Sequence, residues 1–146
     1  MGRGRHAVVL GRAGCRVFGV DISLDAVRTA VEAAHDEGLA LRAWCGDLKE
    51  GVLPAGRFSL IVVTRYLQRD LFPALVGALA PGGVLLYETF TDHQRALGRG
   101  PTSADHLLKP GELAARCGDL EPIAYEEVEE PDALARLAAR RRHSPS

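Results

Sequence analysis

The residues best placed to do chemistry are acids and glycines at the ends of apolar runs. Asp21 closes the run Val17-Phe18-Gly19-Val20, with Ile22 beside it and Ser23, a good helix cap, two residues on. A β-branched and aromatic run of this length reads as a buried parallel strand. An acid where such a strand gives way to a helix can accept from the two vicinal hydroxyls of a ribose, at the edge where open α/β sheets take their ligands. Asp47, in Gly46-Asp47-Leu48, stands in the same kind of place one apolar run later. It could accept from a purine amino group, or equally cap a local turn. Gly2 and Gly4 stand ahead of a short helical stretch, where glycines let a backbone approach a ligand at a helix N-terminus. On this fragment alone the pair reads first as a flexible arginine-rich start, because a lone Gly-x-Gly is a weak signal.

A second cluster follows the most apolar run, Phe58 to Thr64, and comprises Arg65, Tyr66, Gln68, Arg69 and Asp70. Tyr66, Arg69, Glu88 and His93 are the candidate catalytic or orienting groups at a substrate mouth. Taken singly, each reads as structural or orienting before it reads as catalytic; His93 has the strongest claim because it falls in a loop.

Several elements must position these groups. Ala7 to Ala13 reads as a short helix stopped by Gly14, and Ser23 as the cap of an amphipathic helix whose stripe is Leu24, Val27, Ala30, Val31 and Ala34, ended by Gly38. Leu39 to Cys45 predicts a second strand, residues 49–57 a loop, and Phe58 to Thr64 a third strand. Asp70 caps a helix with the stripe Leu71, Phe72, Leu75, Val76 and Leu79, and Pro81-Gly82-Gly83 turns into a strand from Val84 to Tyr87. Residues 91–109 lack periodicity and read as a lid-like loop; a short helix from Gly111 to Cys117 and a strand from Leu120 to Val128 follow. Ala133 to Ala139 is a hairpin partner or an alanine-rich helix, and Arg140 to Ser146 a frayed basic tail.

The bulk numbers set bounds. A chain of 146 residues with 25% charged and 47% hydrophobic residues is enough for one domain with a core. A net charge of −1 provides no basic field, which argues against nucleic acid as the main partner. Cys15, Cys45 and Cys117 form no metal-ligand spacing and no disulfide framework, which predicts a metal-free protein of the reducing cytoplasm. Arg12 and Arg16 interrupt the early apolar stretch before a signal sequence or membrane span is complete.

The order of these motifs resembles class I S-adenosylmethionine-dependent methyltransferases: Gly2-Arg-Gly-Arg-His-Ala7, then Val-Phe-Gly-Val-Asp21-Ile-Ser, then Gly46-Asp47-Leu48, then Leu79-Ala-Pro-Gly-Gly-Val-Leu-Leu-Tyr-Glu-Thr-Phe90. Arg65-Tyr-Leu-Gln-Arg-Asp70, Glu88-Thr-Phe90 and Leu107-Leu-Lys-Pro-Gly-Glu-Leu113 carry a closer likeness to the tellurite-resistance-type subgroup. The resemblance covers residues 2–139. It implies an α/β fold, a three-layer Rossmann-like sheet with helices on both faces, and S-adenosyl-L-methionine as cofactor. It further implies that Gly2 and Gly4 belong to the cofactor loop and Asp21 to the ribose, with Ile22 beside the adenine, Ser23 among the cofactor-binding residues, and Asp47 and Leu48 at the adenine edge. Thr64 and Tyr66 then line the methyl-bearing end of the cofactor, and the acceptor is a small molecule, a thiol or a chalcogen oxyanion.

The family's strand order is 3-2-1-4-5-7-6, and this chain starts after the first strand of that pattern. The reading therefore expects an N-terminally truncated domain over 1–139, missing the central strand. The flanking strands would border a slot of roughly 9–10 Å, whose bare edges would let two copies pair. Two rival readings stand beside this one. Gly2-x-Gly4-x-x-Ala7 with Asp21 comes close to a fingerprint for nicotinamide dinucleotides. A non-catalytic remnant that acts only by binding is the other.

Overall fold

The computed structural model describes residues 1–2 and 4–145; Arg3 of the glycine-rich start and Ser146 of the tail lie outside the described residues. The chain divides into two compact units, Met1–Gly51 and Val52–Ser146.

The first unit holds α1 (Arg5–Arg12), β1 (Val17–Asp21), α2 (Leu24–Asp36) and β2 (Leu41–Cys45). β1 and β2 run parallel, Val17 opposite Leu41 and Asp21 opposite Cys45, and α2 supplies the crossover that parallel neighbours require. Ser23 caps α2 as its sequence predicts: its hydroxyl accepts from Ala26 N at 3.2 Å, satisfying a backbone donor that the helix itself cannot. Gly38 leaves the helix with φ +70°. Of the predicted stripe, Val27, Ala30 and Ala34 are buried, whereas Leu24 and Val31 are exposed, because two strands are too narrow to cover the whole face. The expectation of a buried β1 also fails at Phe18. Its ring is exposed, with the guanidiniums of Arg16 and Arg42 at 6.0 and 5.8 Å from its centroid.

The second unit holds β3 (Phe58–Thr64), α3 (Phe72–Ala78), β4 (Leu79–Phe90), α4 (Glu112–Arg116), β5 (Glu121–Val128) and β6 (Leu134–Arg140). The strands lie in the order β3-β4-β6-β5; β3 is parallel to β4, while β6 is antiparallel to both its neighbours. Leu71, Phe72, Leu75 and Ala78 are buried, as are Leu85, Tyr87, Leu137 and Ala139, and the Phe72 and Tyr87 rings stack 5.1 Å apart. Set against the order 3-2-1-4-5-7-6, β2-β1 match 3-2 and β3-β4-β6-β5 match 4-5-7-6. Among the described residues no strand matches the first.

Three local expectations are corrected. Asp70 is not a cap: a 3-10 turn, Arg69–Leu71, leads straight into α3. Pro81-Gly82-Gly83 does not turn but forms an irregular start of β4, where the register shifts between Phe58 and Leu60. A Cβ on Gly83 would lie 2.8 Å from the carbonyl oxygens of Ala80 and Phe58, so only glycine admits this close approach. The tail is not frayed from Arg140: that residue ends β6, and Arg141 continues the pairing, donating to Gly83 O and accepting from Gly82 N at 2.8 Å each. The Arg141 guanidinium also donates to the carbonyls of Gly77 and Leu79 at the end of α3. Among the described residues no helix is long and apolar enough to cross a membrane.

Candidate functional site

In the first unit the structure gathers Gly2, Asp21 and Ser23 at the C-terminal end of β1. Asp21 Oδ1 accepts from Ser23 N at 2.9 Å, and Oδ2 accepts from Gly2 N at 3.0 Å and from the Met1 ammonium at 3.1 Å. Burial pushes this carboxyl up, but the amides of Ser23 and Gly2 and the ammonium outweigh it and hold the pKa below its ordinary value. Asp21 is thus kept ionised, a group that only accepts hydrogen bonds. Ile22, next to it, is 71% exposed.

Gly4 and Asp47 have local structural duties. Gly4 begins α1 with φ +85°, and a Cβ there would sit 2.7 Å from Ala30 Cβ and 2.8 Å from Ala30 Cα. Its missing side chain is what lets α1 lie on α2. Asp47 Oδ1 accepts from Lys49 N at 2.9 Å, the local turn that was one of its two readings; Leu48 follows within that turn.

In the second unit the candidates stand at the C-terminal ends of β3 and β4. Thr64 and Glu88 are register partners. Glu88 Oε2 accepts from Arg136 Nε at 2.6 Å, and Arg136 also reaches Glu126, so the Glu88 carboxylate is engaged in an ion-pair chain across three strands. Tyr66 donates to Gln68 Oε1 at 2.6 Å, and its own carbonyl accepts from the buried Tyr87 hydroxyl at 2.6 Å. His93, in the 3-10 turn Asp92–Leu97, has Nδ1 at 3.3 Å from Glu129 Oε1.

Arg69, another of the sequence candidates, organises this edge together with Glu112, Gln94 and Arg65. Arg69 grips Glu112 through two hydrogen bonds, 2.6 and 3.1 Å, and donates to the carbonyls of Ala104 and Leu107. Glu112 also accepts from Lys109 N and Arg116. Hydrogen bonding to Arg69, ahead of these others, lowers the Glu112 pKa to about 2 against the opposing effect of burial. Only the Glu112–Arg116 spacing within one helix could have marked this cluster from sequence. Gln94 is buried; its amide accepts from Ala133 N at 2.8 Å and donates to Arg99 O at 3.0 Å, fastening the loop after β4 to the start of β6. Arg65 is the non-glycine residue with positive φ (51°) among those described. Its guanidinium lies over the Phe90 ring at 5.3 Å and 3.6 Å from Asp132 Oδ2.

A family model described as a methyltransferase domain matches residues 1–83. The ribosomal RNA small subunit methyltransferase F of Shewanella amazonensis is 34% identical over 87 residues, 55% of this chain and 16% of that protein; the chain spans about a sixth of that relative. Among solved structures, TehB from Haemophilus influenzae superposes with a TM-score of 0.78 at 20% identity, over 97% of this chain and 55% of that one. An S-adenosylmethionine-dependent methyltransferase from Mesorhizobium loti gives 0.78 at 19% identity, over 96% of this chain and 87% of that one. The [4+2]-cyclase SpnF also gives 0.78, at 14% identity, over 97% and 72%. At these identities the likeness is one of fold, and a fold hosts more than one chemistry.

Proposed function

This chain belongs to the methyltransferase-domain family, and we propose that it transfers a methyl group from S-adenosylmethionine to a small-molecule acceptor. The observation that carries the reading is Asp21, held ionised at a strand's C-terminal end. Its Oδ1 takes one amide hydrogen bond, from Ser23, which leaves acceptor capacity suited to a ribose hydroxyl. The residues present therefore fit the cofactor. Within the first unit, Asp21 would hold the ribose, with Gly2 in the cofactor loop, exposed Ile22 beside the adenine, and Asp47 and Leu48 at the adenine edge. When bound, the cofactor supplies an activated sulfonium methyl.

The chain's own task is then alignment and exclusion of water more than proton transfer. Glu88 is tied to Arg136 and His93 faces Glu129, an arrangement that supports an acceptor needing no strong base. A thiolate or chalcogen oxyanion meets that condition. A net charge of −1 favours a small molecule over nucleic acid, and three free cysteines favour the cytoplasm.

Thermal unfolding with and without S-adenosylhomocysteine tests the reading. A ligand at 100 times its dissociation constant adds about 2.7 kcal/mol to the folded state, so the midpoint should rise, and Asp21→Ala should erase most of the rise. A rise with NAD and none with S-adenosylhomocysteine would put a dinucleotide oxidoreductase in its place. A rise with neither would leave a non-catalytic remnant.

A further inference from the structure

At the C-terminal edge of the second unit's sheet, two arginines converge on one carboxylate. Arg65, immediately after β3, lies 3.6 Å from Asp132 Oδ2, an ion pair too long for a hydrogen bond. Arg99 donates through Nε to Asp132 Oδ1 at 3.2 Å and through Nη2 to Pro131 O. Gln94 Nε2 approaches the same Oδ1 at 3.4 Å. Both guanidiniums are more than half exposed, while Asp132 is three-quarters covered. Two positive charges face one negative charge, and the planar forks keep donors to spare.

Arg65 also occupies a backbone region that a glycine would enter without strain. Its amide donates to Glu88 O at 2.7 Å, and that bond keeps the residue there. What the strained residue secures is a guanidinium aimed across the Phe90 ring at the strand ends. Strain of this kind gathers at ligand clamps.

We infer that Arg65 and Arg99 form an oxyanion subsite, with the Asp132 carboxylate holding the place that an anionic ligand's carboxylate or inorganic oxyanion takes. Calling that ligand the methyl acceptor rests on the methyl-transfer reading; the subsite itself does not. Its acceptor would then be a small anion, engaged in fork-to-oxygen hydrogen bonds.

The test is titration of the full chain with acetate and, separately, phosphate, at constant ionic strength set with chloride, following the arginine Nε–H resonances without cofactor. The expected result is saturable shifts at Arg65 and Arg99. Asp132→Asn should tighten binding by about two- to fivefold, as removal of a competing surface-type ion pair implies. Arg65→Gly should weaken it by about tenfold while raising the unfolding midpoint through relief of strain, and Arg65→Lys should retain part of the binding. A preference for acetate marks a carboxylate-bearing ligand, and one for phosphate an inorganic oxyanion. If Arg65→Gly lowers the midpoint and leaves anion binding unchanged, Arg65 is a packing residue and the subsite is overturned. Shifts no larger than chloride produces overturn it as well. Because no cofactor is present, failure of S-adenosylhomocysteine to bind would remove the methyl-transfer reading and leave this result standing.

Discussion

At the scale of single residues, the Arg69–Glu112 pair is a close, largely covered ion pair of the second unit. Its Glu112 carboxyl, ordinarily near 4.5, is lowered to about 2. A carboxyl depressed on folding contributes stability that is complete above its unfolded pKa and is lost as pH falls through the folded value. The stabilisation should therefore be intact at pH 7 and fade between about pH 4.5 and 2; its size, for so covered a carboxylate, is on the order of 2–3 kcal/mol. Urea unfolding of the parent and Glu112→Gln at pH 7, 4 and 2.5 checks this, since the gap between the two should close in acid. A gap that stays constant would mean that the ion pair does not set the stability. Ser23 was legible from sequence as a cap because its partner, Ala26 N, lies three residues away. Glu112 was not, because the arginine that defines it is 43 residues away and nothing local marks the pairing.

At the scale of elements, the contact of α1 with α2 depends on Gly4. Alanine there would meet both a left-handed backbone and the Ala30 side chain, for a combined cost of about 2–4 kcal/mol. Gly2 has φ +57° but open space where a Cβ would stand, so Gly2→Ala should cost only about 1 kcal/mol. Equal losses in the two variants, read by equilibrium unfolding, would refute the packing role. Periodicity located most elements because apolar spacing and caps act within a few residues. It failed where neighbours decide. Leu134 to Arg140 has the alanine content of a helix, yet it lies between β4 and β5 and is a strand because both ladders need it. Pro81-Gly82-Gly83 has the composition of a turn, but Phe58 across the ladder draws it into β4.

At the scale of the whole molecule, the two units differ in how much apolar surface they hide. Buried apolar residues described in the first are Ala7, Val27, Ala30 and Ala34, whereas the second buries Leu71, Phe72, Leu75, Leu79, Leu85, Leu107, Leu108, Leu113 and others. Burial of a large side chain is worth about 1.5–3 kcal/mol, so amide hydrogen exchange should be faster in β1, β2 and α2 than in β4 and β6. S-adenosylhomocysteine should slow it first around Asp21 and Ser23. Uniform protection across the chain would contradict this imbalance. The division into units was not legible, because composition and strand patterning are alike on both sides of Gly51.

The anchoring of Arg141 has a practical consequence. A protease that cuts after arginine meets three such bonds in a row at Arg140, Arg141 and Arg142. The first two belong to residues whose backbones are tied to β4 and whose second side chain is lodged on the carbonyls at the end of α3. The third is exposed and lies past the last rung of the ladder, so it should be cut before the other two. Limited digestion of this stretch should therefore begin at one bond, after Arg142, instead of leaving ragged ends.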